Sequence, residues 1–106
     1  MLKRIEGGEE ALTNTAVIQE VIDWLEYNNR VREVEAVVTA INSYVSMEKA
    51  EVTWSDMLAA LDDMKRYGLS FVDALIPQTM RKYGVVELYS NDKDFDRVEW
   101  VRKVWS

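Results

Sequence analysis

The stretch Val85-Val86-Glu87-Leu88-Tyr89-Ser90-Asn91-Asp92-Lys93-Asp94-Phe95-Asp96 decides how this chain is read. Four of its first five residues are apolar and β-prone, which predicts a buried strand over Val85–Tyr89. Three carboxylates, Asp92, Asp94 and Asp96, then fall within five residues. Acids just beyond a strand's C-terminal end face a crevice in open α/β sheets. Held close together they repel one another, and a divalent cation with oxygen ligands offsets that repulsion. The bland alternative is an Asx-type turn and a solvated charge cluster.

Outward from there, helices alternate with short apolar runs. Glu10–Thr13 reads as a short strand. Asn14 is the preferred N-cap of a helix over Thr15–Tyr27, which stops near Asn28-Asn29. A second helix is predicted over Val31–Val45, with Val34, Val37, Val38, Ile41 and Val45 at helical spacing. Ala50–Thr53 is a weak strand. Thr53 and Asp56 have capping-box spacing for a helix that presents Met57, Leu58, Leu61 and Met64 and ends at Tyr67-Gly68. Ser70 opens a further helix that ends at Gly84, and Pro77 is expected to weaken or kink it over 73–77. A last short strand covers Val101–Trp105. This alternation predicts an α/β layer structure with a small, mostly parallel sheet, although only two or three strands are credible.

Two more acids stand out. On a wheel of 100° per residue, Gln19, Asp23 and Glu26 form the polar stripe of the first helix. Glu20 lies apart from them, between Trp24 and the pair Ala16 and Tyr27. An acid in an apolar arc is paired, protonated or bound to a cation, or else it snorkels to water. Asp73 interrupts the apolar run Leu69–Ile76. It either completes a capping box with Ser70 or faces a site. Asp56 is read as a cap alone.

Composition bounds the chemistry. The 106 residues suit one domain, and 48% of them are apolar, enough for a core. With no Cys and no His, disulfides, thiolate sites, His-based acid–base chemistry and nearly all zinc sites are excluded. The net charge of −6 argues against nonspecific nucleic-acid binding. It is compatible with a metal site that restores positive charge locally. No run is long enough to span a membrane, and the N-terminus has no signal-type apolar stretch, so a cytoplasmic location is expected.

Together these motifs resemble the PIN domain, particularly the VapC-type toxins of toxin–antitoxin pairs. Ser90-Asn91-Asp92-Lys93-Asp94-Phe95 and Asp73-Ala74 carry the specific part, and the Glu20 helix matches more loosely. The resemblance runs from about Glu9 to the C-terminus. It implies a PIN-like α/β/α sandwich and metal-dependent endoribonuclease activity with Mg2+ or Mn2+. Carried over by position, Glu20, Asp73 and Asp92 are catalytic, metal-holding acids, and Asp94 is a further or alternative ligand. Ser90 orients Asp92, and Asn14 caps the Glu20 helix beside the site. RNA is the implied substrate and an antitoxin the implied partner.

The resemblance also implies a first strand ending in an Asp, followed by a helix. Met1–Gly8 reads instead as the tail of that helix, and Glu6, Glu9 and Glu10 are not at a strand end. The expectation is therefore a single domain over 1–106, N-terminally truncated, with a central strand position open to dimerisation, strand exchange or a partner chain. The alternative is a non-enzymatic interaction module or homodimer, with Trp54, Trp100 and Trp105 as anchors.

Overall fold

The computed structural model describes residues 2–4, by backbone, and 11–104. Among the described residues, five strands form one sheet in the order β3-β2-β1-β4-β5: β1 Leu2–Arg4, β2 Ala11–Asn14, β3 Met47–Ala50, β4 Glu87–Tyr89 and β5 Arg102–Val104. The same residues form four α-helices: α1 Thr15–Tyr27, α2 Val34–Ser43, α3 Trp54–Tyr67 and α4 Phe71–Tyr83. The expected α/β class is met.

β2 and β3 pair in parallel, as do β4 and β5. β1 lies between the two pairs and runs antiparallel to both β2 and β4. All four other strands therefore point the same way. The chain leaves β2 toward β3, then crosses to the other side of the sheet for β4. That reversal makes a switch point between β2 and β4, where open α/β sheets place their ligands.

The reading of Met1–Gly8 as a helix tail is overturned for residues 2–4, while 5–10 lie outside the described residues. Lys3 aligns with Leu12 and Leu88, and Arg4 with Ala11 and Glu87. Leu-Lys-Arg carries no local strand signal. Backbone N–H and C=O groups on both flanking strands create the strand. The central position of the sheet, between β2 and β4, is occupied by residues 2–4.

Local signals fared better. Asn14 Oδ1 accepts from the Val17 N–H at 2.9 Å, so the predicted cap forms. α3 and α4 end on Gly68 and Gly84, both left-handed with φ of 65° and 69°, where glycine has no Cβ penalty. The predicted helix over Val31–Val45 is shorter: a 3-10 turn at Val31–Glu33 precedes α2, and Val45 lies outside it, exposed. α4 runs continuously through Pro77, whose ring is fully buried. Packing outweighs the hydrogen bond that Pro77 cannot give to the Asp73 carbonyl.

The core gathers Leu12, Val17, Leu75, Ile76, Met80, Val85, Leu88, Phe95 and Val98. Helix α3 turns an unexpected face to it. Asp56, Ala60, Asp63 and Tyr67 are buried, while Trp54, Leu58 and Leu61 are exposed. The reason is α4. Arg81 makes a two-pronged bond to Asp63 at 2.8 and 3.0 Å, and Lys82 and Gln78 both reach Asp56. Paired acids can be buried where unpaired ones cannot.

Candidate metal centre

The C-terminal edge of the sheet collects the predicted site. β2 ends on Asn14, which is fully buried and joins two helices. Its side chain caps α1 and its Nδ2 donates to Thr79 Oγ1 on α4 at 3.0 Å. α1 is thereby fixed against the helix that carries Asp73.

β4 ends at Tyr89, and the acidic loop follows. Ser90 is buried, and its Oγ accepts the Asp92 N–H at 3.0 Å. The Asp92 carboxylate accepts the Asp94 N–H at 2.9 Å and starts a 3-10 turn over Lys93–Arg97. Ser90 therefore orients Asp92 through its backbone. The turn is seated by Phe95, which is fully buried. From β5, Lys103 Nζ donates to the Asp92 carbonyl at 3.0 Å and pairs with Asp96 at 2.9 Å. Asp96, the third acid of the run, is thus drawn toward a cation.

Asp73 comes from the first turn of α4, where its N–H donates to Ser70 Oγ at 3.3 Å. The Asp73 carboxylate meets the loop. One carboxylate oxygen from each of Asp73, Asp92 and Asp94 lies within 4.8 Å of the others, and all three residues are half-buried. Burial raises the Asp73 pKa above its usual value; Ser70 opposes this, and the charges of Asp92 and Asp94 reinforce it. Glu20 is exposed on α1, and its pKa is raised by partial desolvation and then by the charge of Asp73. It stands beside the cluster and lines a 330 Å³ groove with Val17, Val21, Trp24 and Ile76.

Such a set suits a hard cation. Three oxygen donors converge, and their mutual repulsion is what a divalent ion relieves. Four of the six predicted site residues, Asp73, Asp92, Asp94 and Ser90, meet in one corner. Glu20 flanks it and Asn14 supports it from below. Arg97 and Lys103 were not anticipated. Arg97 had a faint signal, three residues beyond Asp94. Lys103 had none, because its contact depends on the β4–β5 pairing.

A family model described as the PIN domain matches residues 1–101. The structure is similar to that of Mycobacterium tuberculosis VapC20, a sarcin-ricin loop cleaving toxin. The TM-score is 0.71 with 28% sequence identity, covering 85% of this chain and 71% of that one. No curated protein matches the chain. A match over nearly all 106 residues, with the acids gathered at the sheet edge, places this chain in the PIN-domain family.

Proposed function

We propose that the protein is a metal-dependent endoribonuclease of the VapC type, the toxin of a toxin–antitoxin pair acting in the cytoplasm. The convergence of Asp73, Asp92 and Asp94 carries this reading. These acids would hold Mg2+ or Mn2+, with Glu20 as a further metal-site carboxylate beside Asp73. A bound divalent ion polarises a scissile phosphate and lowers the pKa of a water nucleophile. The chain's own residues supply the donors. Ser90 and Lys103 fix the Asp92 loop, and Asn14 holds the Glu20 helix against α4.

β1 brings no carboxylate to this edge, since Leu2-Lys3-Arg4 contains none. In this reading Asp73, Asp92 and Asp94 either support turnover with a bound metal or hold a metal without it. One experiment separates these outcomes: incubation of the protein with a labelled RNA hairpin, with and without Mn2+, beside Asp92→Asn. Manganese-dependent cleavage that falls more than about 100-fold in the variant supports the nuclease. Metal binding without cleavage identifies a remnant, and absence of both removes the reading.

A specific observation favours a partner surface as well. Trp54, Leu58 and Leu61 share one exposed face of α3, with Trp54 73% exposed. This apolar stripe suits a homodimer or an antitoxin contact. Sedimentation of the wild type against Leu58→Asp tests it, and a monomer in both cases would exclude the homodimer. Among the described residues, no helix is long and apolar enough to cross a membrane.

A further inference from the structure

The triad is assembled from two separate pieces of chain, and something must hold them at a fixed distance. Asp73 belongs to the α3–α4 turn and α4, whereas Asp92 and Asp94 belong to the loop after β4. One side chain touches both. Arg97 Nη1 donates to the Gly68 carbonyl at 2.8 Å and to the Tyr67 carbonyl at 3.5 Å, at the end of α3. Its Nη2 reaches Asp94 Oδ1 at 3.4 Å. Carbonyls at a helix C-terminus carry partial negative charge and suit a guanidinium. The planar fork can serve two acceptors at once, which a Lys ammonium on a single stem does less well. The Asp94 contact is long for a charge-assisted bond, so it is the weaker of the two attachments.

We propose that Arg97 is a positioning residue: it clamps the acidic loop to the α3–α4 turn, sets the spacing of Asp73 from Asp94, and gives up Asp94 when a divalent cation binds. The inference rests on the metal reading above for its last step and on the observed hydrogen bonds for the first. Two physical effects of removing Arg97 have opposite signs. A cation beside the site repels a metal, so if charge were all that mattered, Arg97→Ala would tighten binding. If Arg97 holds the acids in register, the same change weakens binding by about 10- to 100-fold, as for other residues that orient metal ligands.

The test is Mn2+ titration by calorimetry of wild type, Arg97→Ala and Arg97→Lys, with melting temperature measured alongside. The expected result is weaker binding in Arg97→Ala at a similar melting temperature, with partial recovery in Arg97→Lys. Equal or tighter binding in Arg97→Ala overturns the proposal. Hydrogen exchange on the same proteins gives a readout that needs no metal. Arg97→Ala should speed exchange in both 70–75 and 92–97 and leave the Asp56 end of α3 unchanged. If wild type fails to bind Mn2+, the metal reading falls, and exchange alone decides the clamp. Unchanged exchange in both segments would then refute it.

Discussion

Helices α3 and α4 both open with a hydroxyl residue followed three positions on by an Asp, and put that spacing to different uses. Thr53 and Asp56 form a complete capping box: Thr53 Oγ1 accepts the Asp56 N–H, and Asp56 Oδ2 accepts the Thr53 N–H at 2.9 Å. At α4, Ser70 Oγ accepts the Asp73 N–H, and the Asp73 carboxylate lies with Asp92 and Asp94 instead. Their protonation follows. Burial would raise the Asp56 pKa, but bonds from Thr53, Lys82 and Gln78 outweigh it and hold the carboxyl at about 2. Asp73 is shifted the other way. An acid whose needs the fold has met is structural, and an acid left among other acids is a candidate for binding a ligand.

The largest effect is expected at Asp56. Asp56→Ala removes a cap, a hydrogen bond from Gln78 and the ion pair with Lys82. Because Lys82 is half-exposed and can rehydrate, the expected cost is near the low end for a broken buried pair, about 3 kcal/mol. Thermal denaturation should show a melting temperature lower by roughly 10–20 °C. A change of under a few degrees would mean that the α3–α4 pairing is not structural.

Asn14→Ala should cost about 2 kcal/mol, through the lost cap of α1 and the stranded Thr79 and Leu75 partners. Urea denaturation at constant slope measures it.

Acid titration sharpens the contrast. The Asp56 pKa is depressed on folding, so its contribution is complete above the unfolded value of 3.8 and is lost as pH falls toward about 2. Asp73 and Glu20 have raised values, so their ionised forms cost stability at neutral pH, and protonation relieves that cost. Metal-free melting temperature should therefore hold or rise slightly from neutral to mildly acidic pH, then fall between about 4 and 2. A steady fall from pH 7 downward would contradict the Asp73 assignment.

The smallest effect is the most pointed. Asp73→Asn should raise the metal-free melting temperature at pH 7 by about 1–4 °C, since it removes a charge that its neighbours oppose. A drop as large as that of Asp56→Ala would make Asp73 an ordinary cap.

What the sequence revealed depended on range. Asn14, Thr53, Ser70, Gly68 and Gly84 were legible because caps are local in chemistry. The corner of Asp73, Asp92, Asp94 and Ser90 was expected only through the PIN resemblance that two compact motifs carry, because spacing alone left capping and turn readings open. β1 was not, since Leu-Lys-Arg becomes a strand only between β2 and β4. The buried face of α3 was misread for a related reason. Asp56 and Asp63 are interior only because Lys82 and Arg81 meet them from another helix. The late strands begin two residues and one residue later than predicted, where pairing decides the boundary, and Trp105 lies outside the described residues.

The most direct test of the central claim is the melting temperature of wild type, Asp73→Asn, Asp92→Asn and Asp56→Ala with and without millimolar Mn2+. A metal held by the three acids gives a manganese-dependent rise in wild type and in Asp56→Ala, and none in Asp73→Asn or Asp92→Asn. No rise in wild type, or an equal rise in all four proteins, would contradict it.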